Sequence, residues 1–429
     1  MKIAVIGMGK IGLPLATQFA TKGHSVVGVD INPDTVNLIN QAMEPLPGEE
    51  GLSAALTKAT AGGYLRATTS YQDAIPGADA VVVVVPLFVD NSDKPDFGWM
   101  DSATDSIGAN LTTNTLVIYE TTLPIGTTRG RWKPRLESTS GLKEGTDFHL
   151  VFSPERVLTG RVFEDLRKYP KLVGGLSIDG ATAAREFYEA VLDFDEREDL
   201  KQPNGVWDLG SPEAAEMAKL AETSYRDVNI ALANQFALHA DELGVDVYSV
   251  IEACNSQPYS HIHRPGISVG GHCIPVYPRL YLATDTRPGV VQAARELNKM
   301  MPSIMVLRLA DFFGGLDDLS VLIMGIAYRP GAKETSFSGA FSLAQELSDL
   351  GALPTAIDPL FSDDEIRDLG FSPSSDFNEV DAIILHTEHP EFLKYSEGDF
   401  PSLKCVLDGR NLLPRSKWQS TAMLSLGKP

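Results

Sequence analysis

The sequence is poor in cysteine and has no long apolar run. Three cysteines, Cys254, Cys273 and Cys405, are scattered among 429 residues, which excludes the disulfide framework of a small secreted protein. The longest apolar run, residues 80–88, is far shorter than the ~20 residues that span a bilayer. The amino terminus also lacks the basic, apolar and small-residue layout of a signal peptide. We therefore expect a soluble, cytoplasmic protein with reduced thiols.

Positive charge is also scarce. The chain has 36 Lys and Arg against 57 Asp and Glu, a formal net charge of −21. This charge opposes broad binding to nucleic acid or to an anionic membrane, so we expect neither partner. The net charge does not exclude a small anionic ligand, because local Lys and Arg side chains can bind it. The histidines at positions 261, 263 and 272 lack the spacing of a zinc site, so we expect no metal.

The first part of the chain predicts a Rossmann-like domain over residues 1–200. A strand at Lys2–Ile6, a helix over residues 10–21 and a strand at Ser25–Val29 form one βαβ unit. Further apolar runs predict strands of a parallel sheet that is buried on both faces: residues 80–85, Thr115–Tyr119, Phe148–Phe152 and residues 171–173.

Residues 201–313 predict a helical central domain. Ser211 and Pro212 are typical of a helix start, and apolar spacing continues to Leu243, which indicates one long helix. A helix is also expected over Val290–Phe313, kinked or divided at Pro302. After residue 314 the alternation of strand and helix returns, so residues 314–429 predict a second, smaller Rossmann-like domain. The fold class is therefore α/β, with two parallel-sheet domains joined by a helical domain.

A dinucleotide site is indicated by the residues between the first strand and helix: Gly7, Met8, Gly9, Lys10, Ile11 and Gly12. Glycines allow the tight turn there and let a pyrophosphate approach the amino end of the helix. Asp30 follows the second strand, where a carboxylate binds the ribose hydroxyls and repels a 2′-phosphate, so NAD is favoured over NADP. The alternative is a purely structural glycine turn.

Two further side chains are candidates for chemistry. Cys273 lies in a glycine-rich loop, where a thiol can reach a substrate, although most free cysteines are small buried hydrophobes. Helical spacing puts Lys219 on neighbouring turns with Glu216 and Thr223, among apolar residues. It is either deliberately placed there or a solvated lysine. Cys254 and Cys405 are read as structural.

These motifs resemble, in order along the chain, the UDP-glucose/GDP-mannose dehydrogenase family. The resemblance covers nearly the whole length. It includes the glycine turn with Asp30, the turn at residues 120–128, the segment 153–158, the Lys219 helix, the loop at residues 270–273, and the stretches 325–330 and 407–411. The sequences of residues 153–157, 226–231 and 270–273 are most similar to the branch of the family that acts on UDP-N-acetylhexosamines, particularly UDP-N-acetylmannosamine.

The resemblance implies a four-electron oxidation of a sugar C6 alcohol to a carboxylate, with two NAD molecules as acceptors. Cys273 would trap the aldehyde as a thiohemiacetal and then hold a thioester. Lys219 would stabilise negative oxygen at C6 and lower the pKa of the thiol, while Glu155 and Thr122 would position or activate water. Thr223 stands where relatives have a catalytic asparagine.

The resemblance also implies binding residues, an assembly and a pathway. Pro86 and Thr122 would contact the cofactor. The expected substrate contacts are Glu155, Arg156, Val157, Leu158, Lys219, Tyr259, His261, Gly266, Gly270, Tyr328, Arg329 and Lys333. A homodimer through the long central helix and a role in polysaccharide biosynthesis are implied as well.

Three residues depart from the family pattern: Tyr277 replaces an aspartate, Thr223 an asparagine and Ser336 an arginine. Lys333 or Arg264 could supply the missing positive charge toward the diphosphate. Three alternatives therefore stay open beside the UDP-N-acetylhexosamine, whose epimer the sequence does not choose. They are UDP-glucose as the substrate, a two-electron hydroxyacid dehydrogenase, and a catalytically lapsed paralogue that binds nucleotide sugar.

Overall fold

The computed structural model describes residues 1–90, 92–287, 289–374 and 376–428. The chain divides into two compact units: Met1–Glu222 with Arg279–Asp285, and Thr223–Pro278 with Thr286–Pro429. Both units contain a predominantly parallel sheet, which confirms the predicted α/β class. The division into three domains at residues 200 and 313 stays a prediction.

The first unit contains an eight-stranded sheet in the order β10-β9-β8-β7-β4-β1-β2-β3. Neighbouring strands run parallel except β8 and β9, which are antiparallel. The strands are β1 Lys2–Ile6, β2 Ser25–Val29, β3 Leu65–Thr68, β4 Ala80–Val83, β7 Thr115–Tyr119, β8 Phe148–Phe152, β9 Lys171–Gly175 and β10 Val206–Asp208; β5 Phe88–Val89 and β6 Pro95–Asp96 form a separate hairpin. Val- and Ile-rich strands suit this sheet because helices cover both of its faces.

The helices of the first unit alternate with these strands. They are α1 Gly12–Thr21, α2 Pro33–Asn40, α3 Leu52–Ala61, α4 Tyr71–Ala74, α5 Gly98–Asn110, α6 Lys133–Ser140, α7 Val162–Lys168 and α8 Ile178–Val191, with a π-helical turn at Thr128–Trp132. The predicted strands β1, β2, β7 and β8 have the expected bounds. In each of them at least four of the five residues are buried, which explains why their apolar runs could be recognised.

The predicted long helix is present as α9, Pro212–Leu243, which begins in the first unit and ends in the second. The Ser211 hydroxyl accepts a hydrogen bond from the Ala214 N–H and so caps the helix start. The following helices are α10 Val247–Asn255, α11 Tyr277–Leu282 and α12 Val290–Phe313. Helix α12 has the predicted bounds and continues through Pro302, so of the two expected effects of this proline, a kink or a division, the division does not occur.

The second unit contains a five-stranded, fully parallel sheet in the order β12-β11-β13-β14-β15. Its strands are β11 Ser320–Met324, β12 Leu353–Ile357, β13 Ala382–Leu385, β14 Cys405–Asp408 and β15 Ala422–Ser425, with helices α13 Gly339–Asp349 and α14 Asp363–Asp368. The strand order reverses at β11, since β12 lies on one side of it and β13 on the other. Open parallel sheets bind ligands at such a reversal, at the carboxyl ends of their strands. Among the described residues, no helix has the length and apolar character needed to span a membrane.

Candidate active site

The glycine turn after β1 has the geometry of a dinucleotide site. Gly7 has φ +93°, a left-handed conformation that favours glycine. A Cβ on Gly12 would lie 1.8 Å from the Gly7 carbonyl oxygen, whereas a Cβ on Gly9 would meet no atom within 4 Å. Gly12 therefore permits close packing of α1 on the turn, and Gly9 leaves open space for a pyrophosphate.

Asp30 completes this site at the carboxyl end of β2. Its Oδ2 accepts a hydrogen bond from the Met8 N–H at 2.9 Å, and its Oδ1 accepts one from the Asn32 N–H at 2.9 Å. The carboxylate is thereby fixed beside the glycine turn. These residues fit the adenosine half of NAD, whose ribose hydroxyls require a carboxylate acceptor. Pro86, predicted to contact the cofactor, lies exposed after β4.

The turn after β7 carries Thr122 and is tied to the long helix. Thr122 is buried. Glu216 of α9 is fully buried and accepts hydrogen bonds from the Gly126 N–H, the Thr128 N–H and the Thr128 hydroxyl at 2.5, 2.9 and 2.6 Å. Burial raises the pKa of Glu216 to about 7 in spite of these three donors. Glu216 therefore joins the Thr122 turn to the helix that carries Lys219.

Glu155 belongs to a buried network of charged groups in the first unit. Lys171 Nζ donates to Glu155 Oε2 at 2.7 Å and to Glu120 Oε2 at 2.9 Å. The Tyr188 hydroxyl donates to Glu120 Oε1 at 2.6 Å, and Lys171 Nζ lies 4.9 Å from the centre of the Tyr188 ring. Glu120 follows β7, Glu155 follows β8 and Lys171 begins β9, so three neighbouring strands bring the groups together.

The two carboxyl groups of this network differ in acidity. Burial raises the pKa of Glu120 to about 7, although Lys171 opposes the shift. The pKa of Glu155 lies below its usual range because the attraction and hydrogen bond of Lys171, with other hydrogen bonds, outweigh burial. Both carboxylates raise the pKa of Lys171 against its burial. The arrangement therefore favours an ionised Glu155 beside a charged Lys171.

The predicted substrate segment after Glu155 is held by carboxylates. Glu155 Oε1 accepts from the N–H groups of Arg156 and Val157 at 2.7 and 3.2 Å, and Asp165 Oδ2 accepts from the Leu158 N–H at 2.9 Å. Arg156 Nε donates to Glu222 Oε2 at 3.2 Å. A small pocket lies here, lined by residues 154–157, 165–166 and 169–171.

Two predicted catalytic residues of α9 are buried. Only 9% of Lys219 is exposed, and Thr223, one turn further on, is also buried. A solvated lysine, the alternative considered from the sequence, was therefore wrong. Burying a lysine ammonium is costly unless a partner compensates the lost solvation. The burial of Lys219 therefore agrees with a specifically placed ammonium and not with a solvated side chain.

The Cys273 loop in the second unit packs against Tyr328. Cys273 is exposed, so its reading as a small buried hydrophobe was wrong, whereas Cys405 is buried in β14. A Cβ on Gly270 would lie 2.7 Å from Tyr328 Cβ, and one on Gly271, at φ +92°, would lie 2.9 Å from Tyr328 Cε2. The two glycines therefore let the loop lie directly against this predicted substrate residue.

Ser336, which departs from the family pattern, contacts the Cys273 loop. The Gly271 N–H donates to the Ser336 carbonyl at 2.8 Å. The His272 Nε2 contacts both the Ser336 hydroxyl, at 3.0 Å, and the Glu334 carboxylate. Glu334 and Ser336 thus hold the residue directly before Cys273.

The remaining predicted substrate residues of the second unit occupy different environments. Gly266 is buried, and its N–H donates to Asn234 Oδ1 at 2.8 Å. Arg329 Nε donates to the Tyr328 hydroxyl at 3.0 Å. Lys333 forms an ion pair with Glu365, so its charge is already partnered. Tyr259 is 92% exposed and His261 is exposed.

Sequence reasoning missed the groups around Glu155, namely its partner Lys171 and the residues Glu120 and Tyr188 that complete the network. A signal was present for two of them, because a charged residue at the end of a buried strand requires a partner. Tyr188 carried no comparable signal. The assigned roles of the site residues stay predictions.

Sequence models of the UDP-glucose/GDP-mannose dehydrogenase family match three parts of the chain. The NAD binding domain matches residues 1–192, the central domain residues 213–300 and the UDP binding domain residues 322–415. The first match confirms NAD as the predicted cofactor.

Individual proteins are similar over the whole length. The UDP-N-acetyl-D-mannosamine dehydrogenase of Pyrococcus horikoshii is 34% identical over 96% of both chains. The structure of the UDP-D-ManNAc dehydrogenase from the same organism has a TM-score of 0.88 at 31% identity, covering 100% of this chain and 99% of that one. A UDP-glucose dehydrogenase from Pyrobaculum islandicum has a TM-score of 0.86 at 25% identity, covering 100% and 98%.

Proposed function

Because the chain belongs to the UDP-glucose/GDP-mannose dehydrogenase family, as an NAD-dependent nucleotide-sugar dehydrogenase, we propose that it oxidises C6 of a UDP-N-acetylhexosamine to the uronate. The 34% identity to a UDP-N-acetyl-D-mannosamine dehydrogenase over 96% of the chain carries this choice of sugar. UDP-N-acetylmannosamine is therefore the first substrate to test, and its gluco epimer the second.

We propose that Cys273 holds the half-oxidised sugar. Its exposure in a glycine-rich loop supports this role, since a nucleophilic thiol must reach the substrate. The thiolate adds to the C6 aldehyde and forms a thiohemiacetal. Loss of a second hydride gives a thioester, which water cleaves to the carboxylate and the free thiol.

Two residues of the first unit support the polar steps. Lys219, a buried lysine, stabilises negative oxygen at C6. Glu155, held as a carboxylate by Lys171, takes the proton of the water that attacks the thioester, and Thr122 helps to orient that water. NAD, when bound, accepts a hydride in each oxidation, so one alcohol and one water give one carboxylate, two NADH and three protons.

The glycine turn and Asp30 are the groups that would hold NAD. Asp30→Asn removes the charge that repels a 2′-phosphate and keeps an acceptor for the Met8 N–H. We expect the preference for NAD over NADP to fall at least tenfold, as measured by the ratio of kcat/KM values. An unchanged ratio would contradict the role of Asp30.

The test of the function is the NADH yield on a panel of UDP-sugars. Limiting UDP-N-acetylmannosamine should give two NADH per sugar, and Cys273→Ser should abolish this yield while NAD still binds. One NADH per substrate and no effect of thiol alkylation would identify a two-electron dehydrogenase. Stabilisation by a UDP-sugar without any NADH would identify a lapsed enzyme.

UDP-glucose is the second candidate substrate. The TM-score of 0.86 with the Pyrobaculum islandicum UDP-glucose dehydrogenase favours including it. A kcat/KM for UDP-glucose above those for both N-acetylhexosamines would transfer the proposal to this sugar.

We also propose a homodimer through α9. In the second unit this helix exposes Tyr225, Leu232, Phe236 and Leu243, spaced by seven, four and seven residues. This spacing forms one apolar stripe of the kind that pairs helices.

We further propose that the enzyme works in the cytoplasm, in polysaccharide biosynthesis. Its cysteines are unpaired, as in a reducing compartment.

A further inference from the structure

We propose that Lys171 is a positioning residue for the hydrolytic step, holding Glu155 as an oriented carboxylate within a network that Glu120 and Tyr188 complete. The inference rests on the proposed function, because it concerns the cleavage of the Cys273 thioester. It adds Lys171, which acts through Glu155, and the two residues Glu120 and Tyr188 that complete the surroundings of its ammonium.

Lys171 is buried and its ammonium contacts groups of the network, so it does not serve as a solvated surface lysine. Its side chain is only 5% exposed, and its ammonium lies between two carboxylates with the Tyr188 ring 4.9 Å away. A buried ammonium of this kind is retained at a large desolvation cost, which two short charge-assisted hydrogen bonds offset. Lys171 is therefore positioned to act on its two carboxylate partners.

The contacts of Glu155 define its orientation. Oε1 accepts two backbone N–H groups, and Oε2 accepts from Lys171. The side chain is nevertheless 11% exposed and borders the small pocket lined by residues 154–157, 165–166 and 169–171. A carboxylate fixed in this way can take a proton from one bound water while the C–O bond forms and the C–S bond breaks, with the thiolate as leaving group.

The other charged groups near Glu155 set the balance of charge. Glu120 reaches it from the end of β7 and Tyr188 from α8, while Asp165 of α7, Tyr169 and Arg156 line the same pocket. Glu120 and Glu155 share one ammonium. When Glu120 is protonated, Lys171 neutralises Glu155 alone, so Glu155 remains ionised below neutral pH.

The experiment follows pre-steady-state NADH formation in Lys171→Met. We expect this variant to show a burst of two NADH per active site, because both hydride transfers precede the slowed hydrolysis. The steady-state rate should fall at least tenfold, and its acid limb should move up by at least one pH unit, because Glu155 loses its counter-charge. Lys168→Met is the matched control, since Lys168 forms an exposed ion pair with Glu164 on α7, and it should change neither readout.

A second variant separates function from folding. Lys171→Met combined with Glu120→Gln removes one buried positive and one buried negative group, so it leaves only Glu155 uncompensated. It should show the same full burst and slow steady state. If neither variant folds, the wild-type profile decides, since hydrolysis should stay level from pH 7 down to pH 5.

Each contrary result is distinguishable from failure of the proposed function. If the wild-type protein forms no second NADH, the function is wrong. If it forms two, a variant that loses burst and steady state in equal proportion, or retains the wild-type steady state and acid limb, overturns the role of Lys171. A wild-type acid limb near pH 6 in the hydrolytic step would also overturn it.

Discussion

The substitution Gly271→Ala tests whether the contact with Tyr328 places Cys273. Gly271 has φ +92°, and a left-handed backbone costs an alanine roughly 1–2 kcal/mol. The new Cβ would also lie 2.9 Å from Tyr328 Cε2. Ordinary carbon contacts are about 3.5–4 Å, so ring and loop must separate by roughly 0.5–1 Å. A misplacement of this size costs roughly 100-fold in rate, which is the fall in kcat that we expect.

Gly314→Ala is the matched control for backbone strain. Gly314 has φ +74° at the end of α12, but a Cβ there would meet no atom within 4 Å. Both variants incur the left-handed backbone, and only Gly271→Ala displaces the ring. The assay is kcat with the best UDP-sugar, with NAD affinity measured separately and expected to be unchanged. A kcat for Gly271→Ala within threefold of the Gly314→Ala value would refute the reasoning.

Three further predictions concern the cofactor turn, the assembly and the pH dependence of stability. Gly12→Ala should lower Tm by several degrees, because its Cβ would lie 1.8 Å from the Gly7 carbonyl oxygen. Gly9→Ala should leave Tm unchanged and weaken NAD binding, as measured by calorimetry. Equal effects of the two variants on Tm and on NAD affinity would contradict these separate roles. Phe236→Glu should convert a dimer into a monomer in light scattering, and a wild-type protein that is already monomeric would dismiss the interface. Glu216 has its pKa raised from 4.5 to about 7, so its stabilising effect is complete below pH 4.5 and is lost as pH rises through 7, by roughly 3 kcal/mol. The Tm of the wild-type protein should therefore fall more between pH 5 and pH 8 than the Tm of Glu216→Gln. Parallel curves of Tm against pH for the two proteins would contradict the assignment.

The strands could be predicted because burial on both faces leaves a strong signal in composition. The runs at Lys2–Ile6 and Thr115–Tyr119 are almost wholly apolar and bounded by turn residues, so their limits were found from the sequence. The sequence left open whether Pro302 kinks α12 or divides it. Whether a proline ends a helix depends on the packing around it, and Pro302 lies buried within α12.

The candidate site divides along similar lines. Asp30 and the glycine turn form a local pattern within one βαβ unit, so their geometry follows from short-range sequence. The partnership of Glu155 with Lys171 instead depends on the order of β7, β8 and β9 and on the antiparallel direction of β9. No local pattern encodes that order. The contact of Glu334 with His272 is equally non-local, since the two residues are far apart in the sequence and only the fold of the second unit brings them together.

The most direct test of covalent catalysis is mass spectrometry of protein quenched during turnover with UDP-N-acetylmannosamine and NAD. The account predicts a UDP-linked uronyl adduct on the peptide that contains Cys273, lost when hydrolysis is complete. The adduct should accumulate in the Lys171→Met variant. Formation of two NADH per sugar with no adduct on Cys273 at any time of quenching would contradict the account.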